Sequence, residues 1–310
     1  MSIVPTDVPM TSDLCERSIR SLENRYPFLK VENLTTTVFG RPVQAIEIGE
    51  GEREVLFTAA HHGNEWITAT VLLKFAEELS EAIRTGGEIW GVPGRTLAEL
   101  VTVHLVPMVN PDGVDLVTGA VLPGSVEYTT ARGIAGGFPE IPFPDGWKAN
   151  LLGVDLNLQY PAGWLKAREI KFSQGYTRPA PRDYVGRAPL TQRETIALAQ
   201  YTEDVDPALV LAYHTQGKVI YWQYDEMFIP GAEALAEEFA RVSGYTPEKT
   251  PDNSAYAGYK DWFIKTFRRP GFTVEAGSGE NPLPIEQFEE IYRDNLGILV
   301  TATLGLKAKK

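Results

Sequence analysis

The chain has 310 residues, 43% of them hydrophobic and 23% charged, with a formal net charge of −12. That is enough apolar material for a sizeable core without staples, and the acidic balance argues against a nucleic-acid partner, because an acidic surface repels phosphates. One cysteine, Cys15, excludes an internal disulfide and suits a reducing compartment.

The N-terminal "MSIVPTDVPMTSDLCERSIRS" has no basic segment followed by a long apolar run, so no secretory leader is expected. No stretch reaches the roughly 18 uncharged apolar residues of a membrane span. A cytoplasmic protein without a membrane partner is the expectation. A helix is predicted from Ser12 or Asp13 to about Asn24, ended by Tyr26-Pro27. Strands are predicted at 35–39, 43–48 and 54–59. A helix follows from about Glu65 to Arg84, where Ile67, Val71, Leu72, Phe75 and Leu79 keep the three-four spacing of a buried face. "LVTVHLVPMVN" (100–110) is a continuous apolar run, as in a central strand covered on both faces. "GVDLNL" ends another strand candidate. "PLTQRETIALAQYTEDV" reads as a helix with a capping box of Thr191 and Glu194. "PALVLAYHT" (207–215) is a further buried strand, "PGAEALAEEFARVSG" a helix, "GFTVEAG" a strand and "PIEQFEEIYRDNLGILVTATLGL" a long last helix.

Strands alternating with helices predict an α/β sandwich on a mostly parallel or mixed sheet. Ligands of such sheets gather beyond the carboxyl ends of the strands. His62, Asn110, Asn157, His214 and Glu275 all stand at predicted strand ends. His62 and Glu65 flank a strand-to-helix junction, so both side chains can reach one point. Imidazole nitrogen and carboxylate oxygen are normal zinc ligands, and a catalytic zinc keeps three protein ligands. His214 can supply the third. A lone His-x-x-Glu is a weak signal; its place at the strand end strengthens it. His104, inside an apolar run, reads as structural, and His61 as a brace for the site.

The ordered set "HHGNEW", "PMVNPDG", "GVDLN", "AYHTQG", "AGYKDW" and "GFTVEAG" resembles the zinc carboxypeptidase family of the carboxypeptidase A type, from about Leu22 to Leu304. The resemblance implies one catalytic domain over residues 1–310. It also implies a three-layer α/β/α sandwich around a mixed, mainly parallel sheet. It implies one zinc ion per chain held by His62, Glu65 and His214, with Glu275 as the catalytic glutamate. Asp155 matches the carboxylate that holds the first ligand histidine and so fixes its tautomer. Where the family places an arginine after a tryptophan to face the oxyanion, this chain has Lys148 after Trp147. Lysine brings the charge without the fork.

Two departures bear on substrate. Typical members read "DLNRN", and the Asn-Arg pair clamps a terminal carboxylate; here Asn157 is followed by Leu158. That weakens the clamp. The residue before "DW", at the base of the family's specificity pocket, is Lys260, which suits a substrate side chain ending in a carboxylate, such as diaminopimelate. The stretch "GVDLNLQYPAGWLKAREIKFSQGYTRPAPRDYVGRAPLT" resembles one branch of the family, bacterial γ-D-glutamyl-L-diamino acid endopeptidases. Murein peptide is therefore the expected substrate, in recycling of wall material. Arg182 and Tyr184 are expected substrate contacts. Tyr256 stands near the place of the family's mobile tyrosine, although strict spacing lands on Asn253. The alternatives are a carboxypeptidase acting on ordinary peptides, a zinc-dependent small-amide deacylase, and an inactive binding module, which the intact ligands and Glu275 disfavour. Nothing in the sequence sets the oligomeric state.

Overall fold

The computed structural model describes residues 2–305. Its strands are β1 (Lys30–Thr36), β2 (Pro42–Ile48), β3 (Arg53–Ala59), β4 (Glu88–Ile89), β5 (Val92–Pro93), β6 (Val101–Val106), β7 (Val210–His214), β8 (Val219–Tyr221), β9 (Thr246–Glu248) and β10 (Gly271–Glu275). Its helices are α1 (Ser12–Arg25), α2 (Ile67–Thr85), α3 (Gly94–Leu100), α4 (Pro111–Val117), α5 (Val126–Ala135), α6 (Trp164–Ser173), α7 (Arg193–Val205), α8 (Ala232–Ser243), α9 (Tyr259–Phe267) and α10 (Phe288–Leu304). Eight strands form one sheet in the order β1-β2-β6-β3-β7-β10-β8-β9, and β4 pairs with β5 as a separate hairpin. The central run β6-β3-β7-β10 is parallel throughout. Antiparallel pairs β1–β2, β2–β6 and β10–β8 flank it.

Side-chain alternation explains the layers. Along β3, Val55, Phe57 and Ala59 enter the larger core with Leu72 and Phe75 of α2, Phe239 of α8 and Ile298 of α10. Leu56 points to the other face, where it meets Leu198 of α7 and Phe263 of α9. Strand β7 divides in the same way, Leu211 and Tyr213 to one core, Val210 and Ala212 to the other. The sheet is thus covered on both faces, as the continuous apolar runs predicted. Among the described residues no helix is long and apolar enough to cross a membrane.

Four predicted elements differ. The first strand is Lys30–Thr36 rather than 35–39; it is an edge strand with no buried residue, so it lacks the apolar alternation that marks a half-buried strand. "GVDLNL" forms no strand: Leu156–Leu158 is a single 3-10 turn, because the Asp155 carboxylate accepts the N–H of Asn157 and curls the chain. No capping box opens α7, whose N-cap is Gln192. Thr191 instead turns its N–H and hydroxyl to Gln159 Oε1, at 2.9 and 2.8 Å. The last helix begins at Phe288 after a 3-10 turn at Ile285–Gln287.

Candidate metal centre and substrate cavities

The parallel run brings the carboxyl ends of β3, β6, β7 and β10 to one edge of the sheet. His62 lies three residues beyond β3, extended, and caps the 3-10 turn Gly63–Glu65 that leads into α2. That turn brings Glu65 Oε1 to 2.9 Å from His62 Nδ1. His214 ends β7 and places its Nδ1 at 2.8 Å from Glu65 Oε2 and 3.2 Å from His62 Nδ1. One donor atom of each lies within 4.8 Å of the others, and all three residues are buried. Two imidazole nitrogens and both oxygens of one carboxylate therefore converge on a point. That donor set fits zinc.

Neighbours fix each of these groups. His62 turns its other nitrogen, Nε2, to Asp155 Oδ1 at 3.2 Å. Asp155 also accepts the N–H of Asn157 and, on Oδ2, that of Asp183. Asn157 sets its side-chain amide 3.4 Å from His214 Nε2 and accepts the N–H of Tyr259. His61 is fully buried, stacks on the His214 ring at 5.6 Å and lies 3.4 Å from the Tyr160 hydroxyl. It braces the ring, as expected. His104 sits apart, between Glu54 and Tyr201.

The loops that carry the ligands are pinned by a residue whose side-chain role the sequence did not disclose. Asn110, after β6, donates its amide to the carbonyls of His61, Lys148 and Ala149, and caps α4 by accepting the N–H of Gly113. Gly63 packs so closely on Gly113 that a Cβ there would lie 2.5 Å from the Gly113 carbonyl oxygen. Its N–H donates to Lys148 O.

Burial and charge oppose one another here. Burial resists the charged form of His62, but Glu65 and Asp155, against Lys148, lift its pKa to about 9. Burial likewise resists the Glu65 carboxylate, and His62, Lys148 and His214 hold it well below its ordinary range. Asp155 is also held low: His62 and the N–H of Asp183 outweigh burial. Glu275 moves the other way: burial pushes its carboxyl up and Glu65 adds to the effect, partly offset by His214 and Lys148. Lys148 sets Nζ 2.9 Å from Glu65 Oε1. Burial opposes its charge, and Glu65 and Glu275 outweigh it.

Two cavities meet at this point. A smaller, half-enclosed one of about 210 Å³ is lined by His62, Asp155, Asn157, Leu158, His214, Lys260 and Asp261 among others. An open groove of about 1200 Å³ runs outward past Asn64, Glu140, Tyr176, Asn253 and Asn281. Lys148, Lys171, Arg182, Asp183, Tyr221, Ser254 and Glu275 border both.

The structure therefore brings His62, Glu65, His214, Asp155, Asn157, Lys148, Glu275, Lys260 and Arg182 together. Lys260 is buried at the smaller cavity with its ammonium already partnered. It donates to Gln223 O at 2.6 Å and lies 2.6 Å from Asp261 Oδ1. Two expected contacts fall elsewhere. Tyr184 lines neither cavity; its side chain packs with Phe138, Val154 and Ala180, and only its carbonyl serves the site, by accepting the N–H of Asp155. Tyr256 also lines neither; it packs edge-on to Tyr224 at 6.5 Å, while Asn253 and Ser254 of the same loop border the groove. Sequence reasoning missed Lys171, Asp183 and Asp261, although all three stand in stretches that carried the resemblance.

Residues 15–297 match the family model described as zinc carboxypeptidase. The chain is 45% identical over 282 residues to gamma-D-glutamyl-L-diamino acid endopeptidase 1 of Lysinibacillus sphaericus, covering 91% of this chain and 69% of that protein. Among solved structures it superposes on thrombin activatable fibrinolysis inhibitor with a TM-score of 0.77 at 15% identity, covering 98% of this chain and 76% of that one. The murein-tripeptide amidase MpaA from Escherichia coli O157 gives a TM-score of 0.55 at 20% identity, covering 90% of this chain and 93% of that one. These two likenesses concern the fold, and the fold is the α/β sandwich expected. With a full-length family match and a donor set suited to zinc, the chain belongs to the zinc carboxypeptidase family and is a hydrolase of that family.

Proposed function

We propose that this peptidase hydrolyses the γ-D-glutamyl–diaminopimelate bond of murein peptides. The observation that carries the reading is the lining of the smaller cavity. At the place of the family's carboxylate-clamping arginine its wall is Leu158, and Lys260 and Asp261 supply one charge of each sign. Such a pair suits a leaving group whose far end bears both an amine and a carboxylate, as diaminopimelate does. The 45% identity to a gamma-D-glutamyl-L-diamino acid endopeptidase supports the same substrate.

In this reading His62, Glu65 and His214 hold zinc, and Asp155 orients His62. Zinc there would supply a Lewis acid that lowers the pKa of water and polarises the scissile carbonyl. Glu275 takes a proton from the attacking water and passes it to the departing amine. The Lys148 ammonium faces the oxyanion that forms on the carbonyl. Products are a free γ-carboxylate on D-glutamate and the freed amine of diaminopimelate. We place the activity in the cytoplasm, on recycled wall peptides, because the single cysteine is buried and unpaired.

The test is a digest of L-Ala-γ-D-Glu-meso-diaminopimelate beside an all-L, α-linked peptide, read by mass spectrometry, with zinc-loaded protein and a Glu275→Gln control. Release of L-Ala-D-Glu by the wild type alone is expected. Cleavage of only the α-linked peptide would restore an ordinary carboxypeptidase, and cleavage of neither would favour a small-amide deacylase.

A further inference from the structure

Four long cationic side chains line the smaller cavity: Lys148, Lys171, Arg182 and Lys260. Three are engaged. Lys148 lies on Glu65, Lys171 Nζ is 2.6 Å from Asp183 Oδ1, and Lys260 is held by Gln223 and Asp261. Arg182 differs. Its Nε donates to Asp183 Oδ2 at 2.7 Å, and its two terminal amino groups make no hydrogen bond among the described residues. Its side chain is 41% exposed, so a ligand can reach it.

The guanidinium is also held in place. Asp183, its anchor, is fixed by Lys171 on one oxygen and by its own N–H on Asp155 Oδ2 at 3.1 Å. Its φ of +66° is a left-handed conformation that aspartate tolerates better than most residues. The anchoring chain runs from Arg182 through Asp183 and Asp155 to His62. A free, pre-aimed guanidinium fork is a carboxylate receptor, with little ordering left to do on binding.

Its position says which carboxylate. Arg182 borders both cavities beside Lys148 and Glu275, at the neck where the reacting carbonyl must lie. In the function proposed above the smaller cavity takes the leaving group, so the acyl part extends into the larger groove. In a γ-linked glutamyl residue the α-carboxylate stands two methylenes and the α-carbon from the reacting carbonyl, on the acyl side. We propose that Arg182 binds the α-carboxylate of the γ-linked D-glutamyl residue, the free carboxylate on the acyl side of the scissile bond. This deepens the function proposed above and rests on it.

The experiment compares three γ-linked tripeptides. One is L-Ala-γ-D-Glu-meso-diaminopimelate. The second has the glutamyl α-carboxylate amidated. The third has L-lysine as leaving group, which lacks the distal carboxylate. Wild type, Arg182→Met and Arg182→Lys are assayed, with zinc content and thermal melts checked. The wild type is expected to favour the free carboxylate over the amide by about 10- to 100-fold, mainly through KM, as befits a charged hydrogen bond. Arg182→Met should bring that ratio close to one, and Arg182→Lys should hold it in between, with charge but no fork. Equal wild-type rates on acid and amide would overturn the inference, as would a variant that slows both alike. A variant that alters the diaminopimelate-to-lysine ratio alone would move Arg182 to the leaving-group side and also overturn it. Failure of the parent reading looks different: the wild type then cleaves none of the three.

Discussion

Glu275 and His214 are register partners on adjacent parallel strands β10 and β7. The proposed general base therefore stands beside a proposed zinc ligand through backbone pairing, and not through loop packing. A sheet ladder holds such a spacing more tightly than a loop does. Both side chains sit at the last residue of their strands, where the sheet ends and the cavities begin.

Glu275→Gln keeps the shape and the backbone ladder but removes the base. We expect kcat to fall by about 10²- to 10⁴-fold, with zinc content unchanged, because Glu275 is not among the three converging donors. Steady-state kinetics and metal analysis on the same preparation check this. Near-normal kcat would exclude Glu275 as base, and loss of zinc would make it part of the metal centre.

Asp155→Asn acts one step further out. The variant keeps one accepting oxygen but loses the charge that holds His62 Nε2, and its amide NH2 takes the place of the oxygen that accepts the N–H of Asp183. Partners of this kind typically contribute 10- to 100-fold in metal affinity, about the loss expected here. Competition against a chromophoric chelator measures it. An unaltered zinc affinity would reduce Asp155 to a turn-forming residue.

Much of this arrangement was legible from residues that obey simple rules. The apolar runs around Leu56, Leu105 and Leu211 marked central strands, and their carboxyl ends located His62, Asn110 and His214. What failed depended on directions that chain spacing does not encode. Asp155 belongs to a capped turn and not a strand, because its own side chain competes for the backbone N–H. Tyr184 stood inside the resembling stretch and Tyr256 only near the place of the family's tyrosine, and the rings of both turn away from the two cavities into neighbouring apolar clusters. Lys260 lines the smaller cavity, but its pairing with Asp261 was not foreseen, since pairing inside a cavity depends on how α9 is rotated. Helices α5 and α6 went unpredicted because each buries only two or three residues, too few to impose a clear period.

Asn110 tests whether the site is held as one unit. Its amide satisfies three carbonyls from two loops, and its oxygen caps α4. Asn110→Ala would leave His61 O and the Gly113 N–H without partners, since Lys148 O keeps the Gly63 N–H and Ala149 O keeps the Trp147 indole N–H, at a cost of about 1–3 kcal/mol for each orphaned group before relaxation. We expect about 3 kcal/mol of lost stability in all, together with weakened zinc binding. Asn110→Asp should be no better, since it turns a carboxylate toward three carbonyl oxygens. Denaturant unfolding of the three proteins decides the matter; a loss under about 0.5 kcal/mol, the range of an ordinary surface substitution, would mean the loops are held otherwise.

Glu194 gives the fold a pH dependence distinct from the metal centre. The side chain is 2% exposed near the start of α7. Burial pushes its pKa up to about 7; its own N–H opposes this and Asp112 reinforces it. The folded protein thus holds a proton that the unfolded chain, with an ordinary value of 4.5, has released. Stability from this group falls as pH rises from about 4.5 to about 7, and stays lower above that. Glu194→Gln keeps an acceptor for Asn150 and cannot ionise. Its gain over the wild type should be near zero at pH 4.5 and on the order of 2 kcal/mol at pH 8, discounted from about 1.4 kcal/mol per pKa unit. Paired unfolding curves at the two pH values isolate the effect, because every other titrating group cancels in the difference. Parallel pH profiles for the two proteins would show that Glu194 is ionised in the folded state at no cost, and that the polar contacts with Asn150 and the helix start outweigh burial.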